Sequence, residues 1–124
     1  MPRVFSELAY HVALLPKVEP PLTAAMTDFA AEALRLELRK LNVELEGHLF
    51  TDSHHVFTVS APPDVAPVII AHTARQGVSA ALKGKFGELE GWGEVYHDRV
   101  FVKTGEPFST DQIEEFITLS LEGL

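Results

Sequence analysis

The chain has 124 residues and carries ten Lys and Arg against eighteen Asp and Glu, a formal charge of −8. With 46% hydrophobic and 23% charged residues the composition is that of one globular domain spanning 1–124, which excludes a disordered chain. The absence of cysteine excludes disulfides and thiolate chemistry, and the negative charge is the wrong sign for a protein held on phosphates by counterion release. No apolar run approaches a membrane span, and the start, Met1-Pro2-Arg3-Val4-Phe5-Ser6-Glu7, does not have the pattern of a secretory leader, so a cytoplasmic protein is expected.

Val4 to Leu15 reads as a long strand, with Ser6, Leu8, Tyr10, Val12 and Leu14 on one face and Phe5, Ala9, His11 and Ala13 on the other; Pro16 and then Pro20-Pro21 close it. From Thr23 to Leu41 the spacing becomes helical, Met26, Ala30, Leu34, Leu38 and Leu41 forming one apolar stripe. Asn42 breaks this helix, and Val43 to Phe50 alternates as a second strand. Thr51-Asp52-Ser53 is a turn signal, and His54 to Ala61 is a third strand ended by Pro62-Pro63.

Asp64 is expected to cap a second helix running to about Phe86, with Pro67 in its first turn and Ala71, Ala74, Val78 and Leu82 on its buried side. After the glycines at 84 and 87, Gly91-Trp92-Gly93 opens a loop before a fourth strand around Val95-Tyr96 and Val100-Phe101-Val102. Ser109-Thr110-Asp111-Gln112 reads as a capping box, followed by Ile113, Phe116, Ile117, Leu121 and Leu124 at helical spacing. The order β-α-β-β-α-β-α predicts an α+β, ferredoxin-like split βαβ sandwich. A four-stranded antiparallel sheet would carry two helices on one face, with a C-terminal helix appended.

The chain resembles the HUH single-tyrosine transposases, the IS-two-hundred-like enzymes and their REP-associated relatives, over nearly its whole length. The likeness rests on Tyr10-His11-Val12 with Pro16-Lys17, on Thr51-Asp52-Ser53-His54-His55-Val56-Phe57 followed by Pro62-Pro63, and on Ser79, Leu82, Phe86 and Leu89. Trp92-Gly93 with Tyr96 and Glu115-Phe116-Ile117 complete it. It implies single-stranded DNA cleavage and joining by a tyrosine, with Mg or Mn held by two histidines at i and i+2 and by a glutamine four residues after the tyrosine.

The chemical positions are substituted here. If His55 is the first histidine, the second position is Phe57; if His54 is the first, it is Val56. The nucleophile position is Phe116 and the glutamine position is Ser120. Of the positions His55, Phe57, Phe116 and Ser120, only His55 keeps the family's residue type. A catalytically inactive protein is therefore expected, retained as a DNA-binding or non-catalytic remnant, with no cofactor.

Adjacent strand residues point to opposite faces, so His54 and His55 cannot chelate one ion together. His48, on the partner strand with Glu46, is a further candidate neighbour for either of them. Arg75, Lys83 and Lys85 form the basic cluster expected to meet single-stranded or hairpin DNA, weakly, with Glu88, Glu90 and Glu94 diluting it. Tyr96 is the alternative nucleophile in a transposase or nuclease with an altered site, and Tyr10 reads as packing. A third reading is a protein-interaction module. The resemblance implies a homodimer.

Overall fold

The computed structural model describes residues 8–17, 21–91 and 93–122. Strand β1 (Leu8–Pro16) leads to helix α1 (Ala24–Arg39), the hairpin β2 (Glu44–Phe50) and β3 (His55–Ala61), helix α2 (Pro67–Lys85), strand β4 (Tyr96–Lys103) and helix α3 (Thr110–Glu122). The sheet order is β2-β3-β1-β4, every neighbouring pair being antiparallel. This is the expected split βαβ plan with its appended helix. The expected beginning of the first strand at Val4, with Phe5 and Ser6, and the positions Pro20, Trp92 and Leu124 lie outside the described residues.

Both faces of β1 are covered, and this organises the molecule. Tyr10, Val12 and Leu14 enter one core with Phe57, Val59 and Ala61 of β3, under Met26, Ala30, Leu34 and Leu38 of α1 and Ala71, Ala74, Val78 and Leu82 of α2. Each of the larger side chains contributes about 1.5–3 kcal/mol by leaving water. On the opposite face His11, Ala13 and Leu15 are also buried, there beneath α3 and the loop before it. A rise of apolar residues on both faces is the mark of a central strand sandwiched between two layers.

Helix starts follow side-chain chemistry at two of three sites. Thr23 caps α1 by accepting from the Met26 amide at 3.2 Å. Ser109 and Gln112 form the expected reciprocal box, Gln112 N donating to Ser109 Oγ at 3.2 Å and Ser109 N to Gln112 Oε1 at 2.9 Å. Helix α2 differs from expectation. Its cap position is Ala66, which makes no side-chain cap bond, and Pro67 occupies the first turn. Asp64 is spent instead inside a turn closed by Val65 N donating to Pro62 O at 3.2 Å. The fixed φ of proline preorganises the helix start without a cap.

The residues Ser79, Leu82, Phe86 and Leu89 have structural roles. Ser79 Oγ accepts from the Val95 amide at 2.9 Å, tying α2 to the entry of β4. Leu82 and Leu89 are buried, and Phe86 meets Phe29 edge-on at 5.8 Å. No helix among the described residues is long and apolar enough to cross a membrane.

Candidate functional site

Helix α3 lies over β1 and β4, so the same face of β3 and β2 is left open beside it. The result is a cleft of about 430 Å³ between Leu49, Val56 and Thr58 of the sheet and Ile113, Glu114 and Ile117 of α3. Its floor is pinned by His11, whose Nε2 donates to Gly105 O at 2.9 Å and whose Nδ1 pairs with Thr58 Oγ1 at 2.8 Å. Both ring nitrogens are thus engaged, and His11 acts as a strut between β1, β3 and the loop before α3. Gly105 has φ +81°, a left-handed turn that glycine adopts without strain and that presents its carbonyl to the ring.

Strand alternation decides which histidine reaches this cleft. His54 lines it with Val56, while His55 and Phe57 point the other way into the helix-covered core at 0% and 1% exposure. The His55–Phe57 register therefore cannot converge with α3, and the positions opposite the helix are His54 and Val56. That pair offers one imidazole and one isopropyl group.

His55 is a core residue. Its Nδ1 pairs with the Tyr96 hydroxyl at 2.8 Å, its ring stacks on Phe50 at 4.2 Å, and Tyr96 meets it edge-on at 5.3 Å. Burial, with a smaller push from His54, depresses its pKa to about 3, so it stays neutral. Burial likewise holds the Tyr96 phenol far above its ordinary value. Tyr96 has an imidazole neighbour, but one that burial makes too weak a base to take its proton, and at 1% exposure it is sealed from any substrate. Tyr10 is buried in the same core.

His54 is half-buried, and its Nδ1 contacts Ser53 Oγ at 2.9 Å and Thr51 Oγ1 at 3.2 Å. Burial lowers its pKa. His48 is exposed, opposite Phe57 in the β2–β3 register, and packs on Phe50 at 5.2 Å. Phe50 thus lies against both His48 and His55, and the hairpin brings no two imidazoles together.

Phe116 stacks on Phe101 of β4 at 3.9 Å with the rings 8° from parallel, and meets Phe108 edge-on at 5.2 Å. It clamps α3 to the sheet. Ser120, one turn on, is buried, and its Oγ has no partner among the described residues. It borders a recess of about 170 Å³ with Leu15, Ser53 and His97. His97 has a lowered pKa, chiefly through burial and also through Lys17, with Asp98 opposing.

The donor set does not fit the divalent metal that the family resemblance implies. No group of three or more His, Asp or Glu side chains among the described residues could hold an ion. The cleft presents the His54 imidazole, the Glu114 carboxylate, hydroxyls and hydrocarbon instead, both ring nitrogens of His11 being already engaged.

The three basic residues lie on the far side of the sheet and differ in availability. Arg75 is buried, with Nη1 3.7 Å from Glu94 and 3.8 Å from Asp98 and Nε donating to His72 Nδ1 at 3.3 Å. Lys83 Nζ donates to Gly93 O at 2.6 Å from an exposed position, and Lys85 Nζ lies 6.0 Å from the Phe29 ring centroid. The burial of Arg75 was illegible because its carboxylate partners come from beyond the helix, Glu94 from the loop into β4 and Asp98 from β4 itself.

No protein-family model and no curated protein matches the chain. Among solved structures, it is similar to a candidate transposase of Deinococcus radiodurans R1, with a TM-score of 0.83 at 17% identity over 94% of this chain and 93% of that one. It is also similar to a REP-associated tyrosine transposase bound to a REP hairpin, with a TM-score of 0.53 at 10% identity over 94% of this chain and 67% of that one. The fold is the one these transposases have, as the sequence resemblance implied.

Proposed function

We propose that this chain is a non-catalytic protein on a tyrosine-transposase fold that binds single-stranded or hairpin DNA weakly and neither cuts nor joins it. One observation carries the reading: the face of the sheet opposite α3 offers His54 and Val56, and the helix offers Phe116 locked between Phe101 and Phe108. The hydroxyls that adjoin an imidazole on this face, Ser53 and Thr51 on His54 and Thr58 on His11, belong to the turn and the sheet, and the helix position from which the family's tyrosine would attack holds a phenyl ring, which cannot attack phosphorus. Binding to DNA is supported by the fold shared with the hairpin-bound transposase. A homodimer belongs to the same reading.

Incubation with a labelled hairpin DNA and Mg or Mn, followed by denaturing electrophoresis, is expected to show no protein–DNA adduct. An adduct that disappears in Tyr96→Phe would overturn this. Fluorescence anisotropy tests binding. With Arg75 held by Glu94 and Asp98, Lys83 and Lys85 are what remains of the cluster. Two phosphate contacts on a single strand give a log–log salt slope of about −1.4. Absence of binding at low salt would favour a protein-interaction module, for which the exposed Leu49 and Leu121 beside the cleft and the recess are the observation.

A further inference from the structure

The cleft between the sheet and α3 has a chemistry of its own. Its walls are Leu49 and Val56 on one side and Ile113 and Ile117 on the other, and no Lys or Arg among the described residues lines it. A phosphate has no counter-charge there. Three residues that line this space carry side-chain polar groups uncommitted among the described residues: His54 through Nε2, the ring being held through Nδ1 by Ser53, Thr110 through its hydroxyl, and Glu114 through its carboxylate, which is exposed and forms no ion pair.

These features define an occupant. The hydrocarbon walls suit a flat ring. The carboxylate accepts from a donor such as an amine, and the imidazole nitrogen complements a ring nitrogen on the same edge. At about 430 Å³ the space exceeds one heteroaromatic base and falls within the usual range of small-ligand pockets. An unstacked base is read by hydrogen bonds to its pairing edge and by apolar contact with its faces, with no need of positive charge. That is the form of nucleic-acid contact open to a chain of charge −8.

We propose that this cleft binds a single unpaired nucleobase carrying an exocyclic amine, adenine, cytosine or guanine in preference to thymine, with the amine on Glu114 and a ring nitrogen on His54. The proposal rests on the DNA-binding reading for the source of the base and assigns the base, not the phosphate, to this side of the sheet. Glu114 sets the preference, because thymine presents a carbonyl oxygen where the amine would be, and two acceptors repel.

The test uses free 2′-deoxynucleosides and amide NMR on the full chain. Deoxyadenosine is expected to shift the amides of Val56, Thr58, Ile113 and Glu114, and thymidine to leave them in place. Glu114→Gln should weaken deoxyadenosine at least tenfold, and Val56→Trp, which fills the space, should remove the response while the thermal melt confirms folding. Equal binding of thymidine, an unchanged affinity in Glu114→Gln, or shifts confined to other elements would overturn the proposal. Hairpin DNA bound without these shifts leaves the DNA-binding reading standing and sinks the base pocket. Nucleoside shifts in the cleft without hairpin binding sink DNA as the source of the base.

Discussion

The two faces of strand β3 differ by a single residue of offset, and they have opposite chemistry. One face, His55, Phe57, Val59 and Ala61, is sealed under α1 and α2; the other, with Val56 and Thr58 following His54, is half-open toward α3. The sealed face holds the better-connected histidine and contributes it to the core. The open face holds the position from which chemistry could be done and fills it with an isopropyl group. A histidine's environment, and not its presence in a motif, decides whether it can bind anything.

The sharpest way to break this comparison is to place a histidine on each face in turn. Phe57→His buries an imidazole where a phenyl ring is fully enclosed, and a loss of about 3 kcal/mol or more is expected in urea denaturation. Val56→His should stay within about 1 kcal/mol of the parent, since the side chain can reach solvent. Each change creates an i, i+2 histidine pair, Val56→His with His54 and Phe57→His with His55, but only the first faces the open cleft, so Zn or Mn should raise its melting temperature and leave that of Phe57→His unchanged. The reverse pattern would mean that the faces are misassigned. Phe116→Tyr and Ser120→Gln belong with Val56→His in any attempt to rebuild cleavage.

Next in size is α3 itself. Phe116→Ala removes a ring that stacks on Phe101 and abuts Phe108, with an expected cost of about 2 kcal/mol. The loss should be local: hydrogen exchange in α3 accelerates while α2, packed over the main core, keeps its protection. Uniform acceleration through both helices would show that α3 folds as one unit with the rest.

The element order, the α1 stripe and the Ser109–Gln112 cap were legible because each rests on contacts within a few residues. The face of β3 was not legible from alternation. Val56, Phe57 and Val59 are all apolar, and His54 and His55 are adjacent, so either register satisfied the pattern. What decides it is the tertiary pairing of Leu14 with His55 and of His11 with Thr58, which puts His55 on the same side as the buried Tyr96. The absent cap at Ala66 was hidden for a related reason, Asp64 being drawn into the turn at Pro62.

Acid should act on the sealed face first. The folded pKa of His55, about 3, lies below the ordinary value near 6.5, so the unfolded chain takes up a proton that the native chain refuses. Stability contributed by the neutral ring is complete above that ordinary value and is lost as pH falls from it toward the folded pKa, by up to about 1.4 kcal/mol per pH unit. His54 and His97, also shifted downward, add in the same direction. Urea midpoints measured from pH 7 to pH 4 should fall steeply for the parent and less steeply for His55→Phe, which starts lower because Tyr96 loses its partner. Parallel curves would show that His55 is not the group responsible.

The smallest effect belongs to the open face. Thr58→Val removes the hydroxyl paired with His11 Nδ1 and keeps the shape of the side chain. One ring nitrogen then faces the cleft without its protein partner, while Nε2 still donates to Gly105 O. Because the cleft admits water, the freed nitrogen is solvated and the cost should be about 1 kcal/mol. The equivalent cut on the sealed face, Tyr96→Phe, strands His55 Nδ1 beside an Nε2 that already has no partner among the described residues, and should cost about twice as much. Thermal melts of the two variants rank the faces directly. A larger loss for Thr58→Val would mean that the cleft is closed to water and that the face described as open is a second core.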